Sequence, residues 1–218
     1  MSRPPNFDRL ARPYRWLEYL TFGPALERCR FHFLPELANA RKALVLGDGD
    51  GRFLEKLLRK NPGLQADVVD ISPAMLEQLS RRLTPEMHAN VTLICADMRE
   101  FLPFSQEYDL IITHFSLDCL FQTELNSLVS RIRPRVAPGG AIWVVSEFAY
   151  PSGRARGLAG KLLISLLYQS FGWLTGLRVR ALPDHEAPLR NAGFICERER
   201  SWLGGLLVSQ LWHTTYNA

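Results

Sequence analysis

Two rhythms of hydrophobic positions alternate along this chain. Short, mostly apolar runs recur at 43–46, 66–70, 91–95, 108–113 and 141–146. Between them, apolar residues return every three or four positions: Phe53, Leu54, Leu57 and Leu58, then Met75, Leu76, Leu79 and Leu83, then a face within 120–136. The first rhythm is that of strands buried on both faces, the second that of helices with one apolar stripe. The punctuation agrees. Asn61-Pro62-Gly63 stops a helix at 51–60, Ser72-Pro73 caps and opens the next, and Pro138-Gly139-Gly140 closes the third. A long helix at 155–175, a short one at 188–192 stopping at Gly193, and strands at 194–201 and 206–213 around Gly204-Gly205 complete the reading. Strands alternating with helices predict an α/β fold, a three-layer Rossmann-like sheet of seven strands. The sheet is mainly parallel, and the C-terminal hairpin adds one antiparallel strand. Ligands of such sheets bind beyond the carboxyl ends of the strands.

The segment 6–38 also reads as helical and is aromatic, with Phe7, Tyr14, Trp16, Tyr19, Phe22, Phe31 and Phe33, divided by Pro13, Pro24 and Pro35. It sets an N-terminal helical extension or lid, 1–40, apart from a ligand-binding domain, 41–218. Between 157 and 177 the only charge is Lys161. The segment is long enough to span a bilayer, but Lys161, Ser165, Gln169 and Ser170 favour a buried or surface-docking helix. That makes it a candidate for peripheral membrane contact.

Composition changes this picture little. The 218 residues are 47% hydrophobic and 22% charged, an ordinary globular balance. A formal charge of +4 with scattered arginines does not point to nucleic acid. Cys29, Cys95, Cys119 and Cys196 form no C-x-x-C pair, so neither a metal site nor a redox motif is expected. Cys95 and Cys119 read as core thiols, which suits a reducing compartment. The first residues lead into no apolar stretch of secretory type. The expectation is a cytoplasmic protein, membrane-peripheral at most through 157–177, with its oligomeric state open.

The chemistry gathers at strand ends. After the first strand comes Gly47-Asp48-Gly49-Asp50-Gly51, three alternating glycines followed by a helix. Glycine lets the main chain approach a ligand with φ above zero. No Gly-Lys-Ser/Thr follows, so the loop is not a P-loop. The third glycine of the dinucleotide fingerprint would fall at Arg52, so that pattern also fails. Asp70 ends the second strand, where a carboxylate can accept both hydroxyls of a ribose. Asp97, in Ala96-Asp97-Met98 after the third strand, can accept from the amine of an adenine. His114 and Phe115 follow the fourth strand and face the same region, with Asp118 close behind.

Taken in order, G-x-G-x-G, Asp-Ile-Ser-x-x-Met-Leu, Ala-Asp-Met, Tyr-Asp-Leu-Ile and Val-Ala-Pro-Gly-Gly resemble class I S-adenosylmethionine-dependent methyltransferases over residues 40–213. Phe7-Asp8-x-x-Ala11-x-x-Tyr14, Ser146-Glu147-Phe148-x-x-Pro151, Leu182-Pro183 and Ala192-Gly193-Phe194 are similar to elements of the ubiquinone/menaquinone C-methyltransferase group. The resemblance implies S-adenosyl-L-methionine as cofactor. It would be held by Gly47, Asp48, Gly49, Asp50, Gly51, Asp70, Ile71, Met75, Ala96, Asp97, Met98, His114 and Phe115. It also implies methyl transfer to a small hydrophobic acceptor such as a quinone precursor, phenol or lipid. His114, Asp118 and Tyr14 are the candidate catalytic groups, with Glu147 a lesser candidate or a structural residue. The acceptor pocket is expected from Tyr14, Trp16, Tyr19, Leu163, Leu167, Phe171 and Trp173. One position departs from the family pattern. An acid usually stands two residues before the first glycine and helps hold the methionine part of the cofactor, whereas this chain has Val45. Asp48 or Asp50 can compensate. The alternatives are an NAD(P)-binding oxidoreductase and a methyltransferase-like protein without catalysis.

Overall fold

Alternation along the first strand sets the layers. β1 (Lys42–Leu46) turns Ala43 and Val45 to one side and Leu44 and Leu46 to the other, and all four are buried. Strand side chains point to opposite faces with a period of two, so a strand apolar on both faces needs cover on both. The computed structural model describes residues 22–104, 107–151, 160, 164, 179 and 181–214. Within them the other strands are β2 (Gln65–Asp70), β3 (Val91–Cys95), β4 (Leu110–His114), β5 (Ala141–Phe148), β6 (Ile195–Trp202) and β7 (Leu207–Thr214). They form one sheet in the order β3-β2-β1-β4-β5-β7-β6. β1 to β5 pair in parallel, and β7 runs antiparallel between β5 and β6. The expected antiparallel strand is therefore β7.

The helices are α1 (Pro24–Phe31), α2 (Arg52–Lys60), α3 (Pro73–Arg82), α4 (Pro85–His88), α5 (Gln122–Ile132) and α6 (Glu186–Asn191). α2 and α3 cover the Val45 face with Phe53, Leu54, Leu57, Leu76 and Leu79. α5 and α6 cover the Leu44 face with Leu125, Leu128, Val129 and Leu189, packed on Trp143 and Trp212. α3 starts as its sequence dictates. Ser72 Oγ accepts the Met75 N–H at 3.2 Å, and Pro73 follows the cap. The same cap-then-proline signal at Thr84-Pro85 starts the single turn α4, which hydrophobic spacing alone does not reveal.

β4 begins at Leu110 rather than at 108. Asp109 spends its carboxylate on the start of β1, accepting from the Arg41 and Lys42 backbone N–H groups at 2.9–3.0 Å. Tyr108 makes only an isolated bridge to Val136. Its hydroxyl donates to buried Asp67 at 2.6 Å, and Lys42 Nζ reaches the same carboxylate at 2.8 Å. This network fixes the end of the sheet opposite the glycine turn. Contrary to the expectation from its apolar run, Cys95 is not a core thiol. β3 is an edge strand, and Cys95 at its end is exposed, while Cys119 is half-buried.

Tyr14, Trp16 and Tyr19, and the 155–175 helix apart from Gly160 and Ile164, lie outside the described residues. Among the described residues no helix is long and apolar enough to cross a membrane.

Candidate active site

The turn after β1 owes its shape to glycine. Gly47, Gly49 and Gly51 have φ of 71°, 62° and 78°. A methyl group on Gly51 would come within 2.5 Å of Leu79 Cγ, so the turn presses directly on α3. A methyl group on Gly47 would meet Ser116 Cβ at 2.9 Å and Met98 Cε at 3.4 Å. The turn thus sits where the segments following β3 and β4 converge on it.

The two loop acids behave differently. Asp50 accepts from Arg52 Nε at 2.9 Å and Arg82 Nη2 at 2.7 Å, so its charge is balanced on the α2–α3 side. Asp48 turns inward. Its Oδ2 accepts the Leu54 N–H at 3.1 Å, satisfying a free donor in the first turn of α2. Its Oδ1 is buried and has no partner among the described residues. Burial pushes the Asp48 carboxyl up to about 7, against the help of that N–H bond and of Arg30.

At the next strand ends, Asp70 accepts the Ser72 N–H at 2.8 Å, and the Asp70 carbonyl takes the Ala96 N–H at 3.1 Å, which joins the ends of β2 and β3. Asp97 is gripped by Arg99, whose Nε lies 2.8 and 2.9 Å from its two oxygens. Burial alone would raise the Asp97 carboxyl, but its bonds to Arg99 hold it below its ordinary value. Arg131 of α5 donates to the carbonyls of Met98, Arg99 and Phe101 at 2.8–3.1 Å and pins this loop. Ile71, Ala96 and Met98 are half-buried, and Met75 is buried.

β4 and β5 supply the rest. His114 is buried edge-on against Phe53, ring centroids 4.4 Å apart, with no partner for either ring nitrogen among the described residues. Burial, and then the charge of Arg30, lower its pKa well below the imidazole value, so the ring is neutral. Phe115 has φ of 54°, a left-handed backbone that is strained for a bulky residue. Its ring meets Phe148 at 5.4 Å, and Phe148 meets Phe22 at 5.2 Å. Arg30 of α1 is buried with its guanidinium 5.6 Å from the Phe115 ring centre. Glu147 Oε1 accepts from the Ser116 and Leu117 backbone at 3.0 and 2.8 Å, while Oε2 is buried without a partner among the described residues. Burial and then the nearby Asp118 carboxylate raise Glu147 well above the ordinary range.

Glu147 titration has a definite sign. A carboxyl whose folded pKa is raised contributes stability below its unfolded pKa, and that contribution is lost as pH rises through the folded value. Glu147→Gln keeps an acceptor for both N–H groups and removes the titration. Its stability relative to the parent, read from urea unfolding at a series of pH values, is expected to improve as pH rises. A difference independent of pH would contradict the raised pKa.

The structure brings Gly47–Gly51, Asp70, Asp97, His114, Phe115 and Asp118 to one edge of the sheet, while Tyr14 lies outside the described residues. Sequence reasoning missed Arg30 and Arg131 and gave Glu147 only a lesser part. Arg30 left a trace, since it shares a helix face with Leu26 and Cys29, and all three are buried.

All four buried side-chain atoms without a partner among the described residues belong to Asp48, His114 and Glu147, at the ends of β1, β4 and β5. Unpaired buried polar groups are costly, and among the described residues they gather at this one end of the sheet. The seven-stranded sheet has the fold of solved methyltransferase structures. Residues 43–140 match the protein family described as "Methyltransferase domain". Across 99 residues the chain is 28% identical to a malonyl-[acyl-carrier protein] O-methyltransferase of Priestia megaterium, covering 45% of this chain and 34% of that one. Across 162 residues it is 26% identical to one of Paenibacillus sp., covering 72% and 56%. It thus spans about a third to just over a half of those relatives. Among solved structures, mitomycin 7-O-methyltransferase MmcR superposes with a TM-score of 0.68 at 16% identity, covering 96% of this chain and 61% of that one. Human N-acetylserotonin methyltransferase in complex with SAM gives 0.63 at 18%, covering 95% and 55%. These relatives are named for methyl transfer to oxygen or to small molecules, and the quinone C-methyltransferase group is not among these names.

The residues fit S-adenosylmethionine. Asp70 and Asp97 offer acceptors to a ribose and an adenine, and the unpaired Asp48 carboxylate oxygen suits a cationic group. Asp48, a buried acid inside the glycine turn, is the wrong group to face a pyrophosphate, which counts against a dinucleotide.

Proposed function

We propose that this chain transfers the methyl group of S-adenosylmethionine to a small acceptor with an apolar body. The observation that carries the reading is the set of buried atoms of Asp48, His114 and Glu147 without a partner among the described residues, at the same end of the sheet as Asp70 and Asp97. When bound, S-adenosylmethionine supplies an electrophilic methyl group on a sulfonium. The protein's task is to hold and orient. Asp70 takes the ribose hydroxyls, Asp97 the adenine amine, and Ile71, Met75, Ala96 and Met98 enclose the base. Presenting an acceptor in attack geometry contributes about 7–11 kcal/mol of barrier lowering.

The acceptor enters over Phe22, Phe115 and Phe148, whose rings form an apolar wall at the ends of β4 and β5. The strained φ of Phe115 holds its ring in that wall, and strain of this kind persists where surrounding structure enforces it. An acceptor hydroxyl needs a proton acceptor. Neutral His114 is in the right state, but its low pKa makes it a weak base. Asp118, beside the proton-holding Glu147, is the stronger candidate in this reading.

The experiment is a turnover assay with methyl-labelled S-adenosylmethionine, offering prenylated phenols, a quinone precursor and a malonyl thioester on a carrier protein. Label in one of the apolar small molecules supports the reading. Label only in the carrier-bound malonyl group replaces the acceptor. No binding of S-adenosylmethionine by calorimetry removes the reading altogether.

A further inference from the structure

We infer that Asp48 and Arg30 together hold the amino-acid end of S-adenosylmethionine, the Asp48 carboxylate taking its ammonium and the Arg30 guanidinium its carboxylate. This rests on the function proposed above. The methionine part of that cofactor carries one charge of each sign, so a site that buries it needs a partner for each. Position 45 offers none. Val45 is fully buried in the apolar layer with Phe53, Leu54, Val68 and Ile112. The nearby acids differ in what they have left to give. Asp50 is matched by Arg52 and Arg82. Glu147 serves the Ser116 and Leu117 backbone and has a second carboxylate, Asp118, beside it. Asp48 is the acid of the turn that points inward, with one oxygen on the α2 backbone and the other buried and unmatched among the described residues.

Arg30 supplies the opposite sign from a different element. It comes from α1, is buried, and lies over the ring of Phe115 at the end of β4. Its charge acts to lower the pKa of both Asp48, in the turn after β1, and His114, at the end of β4. A guanidinium presents a planar fork suited to a carboxylate. Acid and base thus both lie at the adjoining ends of β1 and β4, one for each charge of a zwitterion.

Ligand truncation separates the two contributions. Calorimetry on the full chain would compare S-adenosylhomocysteine, decarboxylated S-adenosylmethionine and 5′-methylthioadenosine, which lacks the amino-acid group. Asp48→Asn retains an acceptor for Leu54 and is expected to weaken S-adenosylhomocysteine and the decarboxylated compound by about 10–100-fold, the range for one charged hydrogen bond. Methylthioadenosine binding stays unchanged. Arg30→Gln is expected to weaken S-adenosylhomocysteine by a similar factor and to spare both truncated ligands. Retained methylthioadenosine binding shows that each variant is folded. Parent-like affinity for S-adenosylhomocysteine in either variant, or equal losses for all three ligands, overturns the inference. Failure of the parent to bind any of the three overturns the proposed function instead.

Discussion

Asp70→Ala is expected to weaken S-adenosylmethionine binding by about a hundredfold or more. Two hydrogen bonds from ribose hydroxyls to one carboxylate are each worth about 1.5–3 kcal/mol, and about 1.4 kcal/mol is a factor of ten. Asp70 is the last residue of β2, buried, and already fixed by the Ser72 N–H, so its carboxylate is held in place before any ligand arrives. The same bond steadies the start of α3, so the variant also loosens that helix. Asp70→Asn restores an acceptor for Ser72 while removing the charge, and it separates the two effects. Calorimetry with S-adenosylhomocysteine reads the affinity, and thermal unfolding without ligand reads the helix. Affinity within about threefold of the parent for both variants would assign the ribose to some other group.

Gly51→Ala is expected to be strongly destabilising. At φ of 78° an L-residue costs about 1–2 kcal/mol. The new Cβ would also lie 2.5 Å from Leu79 Cγ, 2.8 Å from its Cβ and 3.0 Å from its Cα, and the last is backbone that cannot swing aside. Overpacking of this kind costs about 1–3 kcal/mol more. A total of about 3 kcal/mol, read as a fall in urea midpoint, should come with loss of cofactor binding, because α3 is pushed from the turn. Gly139, with nothing within 4 Å of an added methyl and no left-handed φ, is the matched control. Equal losses at both positions would show that the close approach at Gly51 does not matter.

Much of this architecture is legible in the amino-acid sequence. Alternating strand and helix periods place β1 to β5, because a parallel sheet covered on both sides writes its burial into the sequence as apolar runs, and the Gly204-Gly205 turn signals the last two strands. Gly47–Gly51, Ser72-Pro73 and Asp70 are readable because their roles depend on residue type at a fixed local position. Arg30 is not readable in that way. Its role depends on α1 docking against β7 and the end of β5, a long-range arrangement that local pattern does not encode. Asp48 and Asp50 look equivalent in sequence. They differ because Arg82, which is 32 positions away, reaches Asp50. Cys95 misleads because an apolar run does not reveal whether its strand lies in the middle of a sheet or at its edge.

The docking of α1 also bears on how the chain becomes competent. Cys29 donates its thiol to the Val208 carbonyl at 3.3 Å, across a sequence separation of 179, and its own carbonyl accepts from Ser146 at 3.4 Å. Arg30 is therefore seated by β5 and β7, strands far along the sequence from the helix that carries it. The proposed nucleoside half of the site lies within the 43–140 stretch and can assemble from neighbouring βα units. The half around Arg30 must wait for β7, and contacts of such long separation form slowly. A chain still emerging during synthesis would own a place for adenosine before it owned one for the whole cofactor, and Arg30 would join the site only when folding is nearly complete.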